Sequence, residues 1–178
     1  MDQEASLAGE LVEVVDLDGN VIDIVPRSQM RAQSLRHRCT YVAVVTTQDE
    51  LVVHQRAGWK DVSPSFWDIG FGGVADVGET WDDAARRELA EEAGLSGDAM
   101  ECLGAIGYEH SGNRVVGRAY LVVTDELPRC VDGEVVAVEK VPLNTLDNWL
   151  EGRNICPDSL AAFLPVLRAA LAKRSKKD

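Results

Sequence analysis

The chain has 178 residues, 46% hydrophobic and 27% charged, enough for one domain with an ordinary core and too apolar for extensive disorder. Lys and Arg number 18 against 30 Asp and Glu, a formal charge of −12, which argues against a protein that grips duplex DNA or RNA by neutralising phosphates. No apolar run approaches the ~20 residues that cross a bilayer, and the acidic start MDQEASLAGELVEVVD has neither the basic nor the apolar region of a leader, so no membrane span or signal peptide is expected.

Residues 11–25, LVEVVDLDGNVIDIV, set two alternating apolar runs around Asp18-Gly19-Asn20 and predict a hairpin. Residues 26–36 read as a polar connector holding a helical turn. CTYVAVVT at 39–46 is β-branched and nearly continuous, the pattern of a buried strand, and LVVHQRA at 51–57 returns as another. GWKDVSPSF at 58–66 is a loop. A helix is predicted at 81–93, closed by Gly94. Strands follow at 101–109, 115–124 and 134–141, then a helical turn at 146–150. An amphipathic helix at 158–173 contains Pro165, which must kink or split it, and the basic tail RSKKD is expected to fray. Strand and helix do not alternate regularly, so a mixed α/β (α+β) sheet is expected rather than a doubly wound parallel one, in a single domain over 1–178. Cys39, Cys102, Cys130 and Cys156 are scattered without metal-binding or redox spacing. They read as reduced, mostly buried thiols of a cytoplasmic protein.

The chemistry concentrates between Asp76 and Glu92, where seven carboxylates face only Arg86 and Arg87, a charge of −5 in 17 residues. Thr80 is a plausible N-cap with Asp83 three residues on, and Asp82 and Asp83 suit the first turn of a helix. Glu88, Glu91 and Glu92 do not suit its last turns. Their i, i+3, i+4 spacing puts all three on one face, where they repel. Arg87 reaches Glu91 but cannot neutralise three carboxylates. A hard divalent cation can, and a solvated acidic face is the plain alternative.

Residues 73–95, GVADVGETWDDAARRELAEEAGL, fill every fixed position of the pattern G-x5-E-x7-R-E-U-x-E-E-x-G-U, with U aliphatic, through Gly73, Glu79, Arg87, Glu88, Leu89, Glu91, Glu92, Gly94 and Leu95. This stretch resembles the Nudix box, and the chain resembles the Nudix (MutT-like) hydrolases. The resemblance implies a mixed sheet between helices, an α/β/α sandwich with the box as a loop–helix–loop. It also implies Mg²⁺- or Mn²⁺-dependent cleavage of a pyrophosphate linkage in a nucleoside diphosphate derivative or related diphosphate. Carried over residue by residue, Glu91 and Glu92 are metal ligands, and Glu88 is a ligand or the general base. The Gly72 carbonyl is a further ligand, and Glu79 and Arg87 are an orienting pair. The flanks HRCTYVAVV and LVVHQRAGWKDVSPSFWDIGFGGVADVGE are similar to the isopentenyl-diphosphate-isomerase-like branch over about residues 11–142. The catalytic cysteine those isomerases carry before the box is missing from WDIGFGGVAD, which favours a hydrolase. An isomerase-like enzyme and a non-catalytic nucleotide-sensing domain are the alternatives.

Outside the box, Glu134 resembles a downstream Nudix acid, and reads equally as a further base or ligand and as a solvent-facing residue. Arg56 and Lys60 flank the loop before the box as candidate phosphate contacts. Trp67, with Trp59 and Phe66, is a candidate for stacking or lining a pocket, though packing suits at least two of the three. His37, His54 and His110 read as isolated strand or loop histidines. The partner expected is a small phosphorylated molecule, with a homodimer left open.

Overall fold

The computed structural model describes residues 9–110, 112–130 and 133–174. Its organising element is β3 (Arg36–Val45), whose run RHRCTYVAVV is buried at every position after the first. A strand with that pattern needs cover on both faces. One edge of β3 runs parallel to β7 (Asn113–Val123) in unbroken register from Arg36↔Arg114 to Val45↔Val123. The other edge is divided. β1 (Leu11–Val15) meets it at His37 through Val14, and β4 (Glu50–Arg56) meets it at Val44 and Val45.

Between these two contacts the chain 71–75 lies along β3 without being a regular strand. Val42 and Phe71 exchange bonds of 2.7 and 2.9 Å, the Thr40 N–H donates to Gly73 O at 2.9 Å, and the Ala75 N–H donates to Arg38 O at 3.0 Å. Glycine is required at the tightest point. Gly72 has φ +146°, and a Cβ there would stand 2.0 Å from Thr40 O.

β2 (Val21–Pro26) closes the expected hairpin with β1. Asp16 fixes the turn by accepting from the N–H groups of Asp18 and Asn20, both at 2.9 Å. β5 (Trp67–Asp68) and β8 (Val135–Pro142) flank β4, and β6 (Glu101–His110) flanks β7, giving an eight-stranded mixed sheet. The helical turn expected in 26–36 is α1 (Arg27–Ala32).

Alternation along β3 feeds two cores. Val42 and Val44 join Phe71, Tyr120 and the inner face of α2 (Trp81–Ala93). Tyr41, Ala43 and Val45 join Phe163, Leu164 and Leu167 on the opposite face. The short α3 is Leu146–Leu150. The C-terminal helix is split, as Pro165 requires. Ser159–Phe163 forms a widened turn in which the Leu164 N–H reaches back to Ser159 O, and α4 (Leu164–Arg174) continues from there. Residues 175–178 of the expected tail lie outside the described residues. Among the described residues no helix is long and apolar enough to cross a membrane.

His54 lies in the core on β4, its ring 4.5 Å from that of Phe71, and neither ring nitrogen has a hydrogen-bond partner. Burial holds its pKa down to about 3, with Arg56 and Lys60 adding to the effect. Below the ordinary value of 6.5 the unfolded chain takes up a proton that the folded ring refuses, so stability falls as pH falls. His54→Leu is expected to raise the thermal midpoint, and by more at about pH 5 than at about pH 8. Equal shifts at both pH values would show that this ring is not buried neutral.

Candidate active site

Helix α2 begins where its sequence directs. The Thr80 hydroxyl accepts from the Asp83 N–H at 3.2 Å and donates to Asp83 Oδ2 at 2.6 Å. Its end is set by Gly94, left-handed at φ 63°, whose N–H bonds Ala90 O at 2.9 Å. Buried Ala84, Ala85, Leu89 and Ala93 fix which face meets the sheet. The N-terminal end is tied down by a buried ion pair, Arg38 to Glu13 at 2.8 Å. Glu13 also accepts from the Gly78 N–H, and the Arg38 guanidinium lies 4.2 Å from the Trp81 ring centre.

That rotation separates the three glutamates. Glu92 is 2% exposed and accepts from the Gly72 N–H at 2.9 Å. The Glu88 side chain is also largely buried, and a Cβ on Gly73 would stand 2.8 Å from its carboxylate. Glu91 is more than half exposed. A solvated acidic face therefore describes Glu91 alone. Burial pushes the Glu88 carboxyl up to about 7 against the pull of Arg87. Burial, with Glu88 beside it, pushes Glu92 up to about 8.

Arg87 joins the loop to the helix. It grips Glu79 with two bonds of 2.9 and 3.0 Å and reaches Val74 O at 3.2 Å. Its NH1 donates to Glu88 at 2.9 Å and to Glu91 at 3.1 Å. Burial alone would raise the Glu79 carboxyl, but Arg87 and the Asp76 N–H outweigh it and hold it below the usual range. Among the described residues, no three His, Cys, Asp or Glu side chains are gathered closely enough to hold a metal ion as they stand.

Glu88, Glu91, Gly72 and Gly73 form one wall of a cavity of about 500 Å³. Arg56, Lys60 and Glu134 also line it. Arg56 is fixed by two bonds of 3.2 Å to Val62 O, and Lys60 pairs with Glu134. Glu134 is thus a paired residue rather than a free solvent-facing one. Trp67 is not among the lining residues and packs edge-on against Trp149 at 5.3 Å. Glu92 lies behind the wall, reaching the loop through Gly72.

Several lining residues are not ones the sequence offers for the site, His37 and Cys39 among them, which it reads as an isolated histidine and a buried thiol. Arg27 and Arg31 reach the cavity from α1, and His37, Cys39 and Tyr41 from β3. Asp68, Cys156 and Asp158 complete it because Trp67 pairs with Ile155. The i, i+4 arginines of PRSQMRA were a usable signal, whereas nothing local marked Asp158. No disulfide joins cysteines among the described residues. Cys39 and Cys156 are buried, but Cys130 is partly exposed and Cys102 exposed, so half of the thiols depart from the expected burial.

A model of the NUDIX domain matches residues 35–158. The Nudix hydrolase PA4841 of Pseudomonas aeruginosa is 31% identical over 166 residues, 92% of this chain and 96% of its own. The Nudix hydrolase YfcD of Escherichia coli K12 is 36% identical over 124 residues, 70% of this chain and 69% of its own. Among solved structures, DR0079 from Deinococcus radiodurans shares the fold at a TM-score of 0.74 and 23% identity, covering 89% of this chain and 98% of its own. The chain therefore belongs to the Nudix family of hydrolases, enzymes that act on phosphorus-containing anhydrides.

The buried carboxylates carry a consequence for stability. Glu88 and Glu92 hold protons more tightly folded than unfolded, where 4.5 is the ordinary value. Between that value and about 7 to 8 the folded state binds more protons, so these groups lower stability as pH rises. In metal-free protein, Glu92→Gln is expected to make the change in thermal midpoint from about pH 5 to about pH 8 less negative than in wild type. An unchanged slope would contradict the burial of this carboxyl.

Proposed function

We propose that the chain hydrolyses a pyrophosphate linkage in a nucleoside diphosphate derivative or a related diphosphate, with Mg²⁺ or Mn²⁺. The observation that carries this reading is the placement of Glu88 and Glu92 against Gly72–Gly73, with Glu91 at the cavity wall. The donor set suits a hard divalent cation, being all oxygen and including two carboxylates whose burial raises their proton affinity, Glu91 adding to the effect at Glu88 and Glu88 at Glu92. Glu88, Glu91, Glu92 and the Gly72 carbonyl would hold the ion. When bound, it would offset phosphate charge and acidify a water.

The chain's own groups do the rest. Lys60 and Arg56 place positive charge beside phosphate oxygens in the cavity. Arg87, fixed by Glu79, holds the helix and the glycine loop in register. Glu88, on the cavity wall against Gly73, is placed to accept a proton from attacking water, and Glu134 is the alternative base. The isomerase reading gains no nucleophile. Burial pushes the Cys39 thiol up to about 12 and Cys156 higher still, so both stay protonated at neutral pH. A sensing domain could dispense with the box carboxylates, yet all are present. The lack of a disulfide among the described cysteines supports a reducing, cytoplasmic setting.

Glu91→Gln and Glu92→Gln are each expected to lower turnover on a nucleotide panel by roughly two to four orders of magnitude. Asp82→Asn should leave turnover near wild type, because its amide oxygen can still accept the 2.7 Å bond from the Tyr120 hydroxyl. Wild-type turnover by Glu91→Gln in Mg²⁺ would count against the assignment.

A thermal-shift titration tests the metal without a substrate. Mn²⁺ or Mg²⁺ at constant ionic strength should stabilise the fold by about 2.7 kcal/mol at roughly a hundredfold excess over Kd. The Glu91→Gln/Glu92→Gln variant should lose most of that response. Equal stabilisation by K⁺ at matched ionic strength would leave only screening.

A further inference from the structure

The cavity face of β3 presents His37, Cys39 and Tyr41 in succession. At about 3.3 Å per residue, His37 and Tyr41 stand roughly 13 Å apart, with Cys39 midway. The middle is the glycine-loop position, since Thr40 bonds Gly73 and Glu88 sits against Gly73. The two ends differ in charge.

At the Tyr41 end, the tyrosine hydroxyl donates to Asp158 at 2.7 Å, and Ser159 donates to buried Asp68 at 2.5 Å. Arg56 interacts with Asp68 and Asp158, so a single guanidinium faces two carboxylates there. At the His37 end stand Arg27 and Arg31, one helical turn apart on α1 and both lining the cavity. Their Nε groups converge on one carboxylate, Asp61, at 3.4 and 2.9 Å. Arg27 also reaches Glu10 at 3.3 Å.

His37 orients Arg31. Its Nδ1–H donates to Leu35 O at 3.0 Å, which leaves Nε2 to accept from Arg31 NH1 at 3.4 Å. Burial and then the Arg31 charge hold the ring's pKa down to about 4, so the ring stays neutral and keeps this role at neutral pH. Asp61 therefore bridges two guanidiniums from the loop 58–66 in the way an oxyanion of a ligand would.

We propose that Arg27 and Arg31 form a second anion subsite, which receives a phosphate lying beyond the scissile anhydride in exchange for Asp61. The chain accordingly prefers nucleotides with a free polyphosphate end over nucleotides capped by an uncharged sugar. The substrate preference rests on the hydrolase reading, whereas the subsite does not. With the scissile anhydride at the glycine loop, each further phosphate of a polyphosphate extends toward the arginine end, which a sugar-capped diphosphate leaves without a phosphate. The acidic Tyr41 end sets the direction, because the charged half of the substrate must lie toward α1.

Calorimetric titration with inorganic tripolyphosphate, without divalent metal and at fixed low ionic strength, tests the subsite directly. Wild type should bind. Arg27→Ala/Arg31→Ala should weaken binding by about tenfold or more, and Arg27→Lys/Arg31→Lys should recover part of it. Asp61→Asn should tighten binding, because it removes the competing carboxylate. A purely structural Asp61 bridge predicts the opposite sign. No binding by wild type, unchanged binding by the double alanine variant, or weaker binding by Asp61→Asn would each overturn the subsite.

Product analysis then addresses the preference. The double alanine variant should raise KM for a nucleoside triphosphate with kcat little changed, and leave KM for a nucleotide sugar of the same base near wild type. Equal effects on both would overturn the preference. Tripolyphosphate binding without product from any nucleotide would sink the hydrolase reading and leave the subsite standing.

Discussion

The close approach of Gly72 and Gly73 to β3 governs this molecule. β1 and β4 each take one end of the same β3 edge, and the chain 71–75 must supply hydrogen bonds in the gap between them. It can do so only where no side chain intrudes, since a Cβ on Gly72 would collide with Thr40 O and one on Gly73 with the Glu88 carboxylate. The result is a loop flat against the sheet with the Gly72 N–H turned toward Glu92. Helix and sheet are thereby locked at the point where the carboxylates must act.

Electrostatics follow from that lock. An acidic chain would ordinarily solvate its glutamates, and Glu91 does so. Glu88 and Glu92 cannot, because the apolar face of α2 fixes the helix rotation and carries them inward with Leu89 and Ala93. Their burial raises their proton affinity and makes positive charge welcome beside them. Arg87 supplies part of it, and Glu79 keeps Arg87 from collapsing onto the glutamates alone. The cations Arg56, Lys60, Arg27 and Arg31 are likewise each held by an oxygen acceptor, so the cavity is polar.

Much of this was legible in local sequence because its causes are local. The hairpin around Asp16–Asn20, the Thr80 cap, the Gly94 stop and the split at Pro165 each depend on residues a few positions apart, and each is found. The box pattern works likewise, since one helix turn sets the spacing of Glu88, Glu91 and Glu92. Local spacing says which residues share a face, but not how deeply each is buried. That depends on what the helix packs against.

The sequence by itself determined the family, the strand and helix order, and the carboxylate-bearing helix behind a glycine loop. Only the tertiary structure decided which charges meet. Trp67, which the sequence offers as a pocket aromatic, pairs with Trp149 instead, because the bridge from Trp67 to Ile155 carries it toward the C-terminal layer. The same bridge brings Asp158 to Tyr41, 117 positions away. Arg31 meets Asp61 across 30 positions, and Lys60 meets Glu134 across 74. Such pairs leave no periodic trace, because the chain between them is free to vary so long as the sheet returns their ends to one cavity.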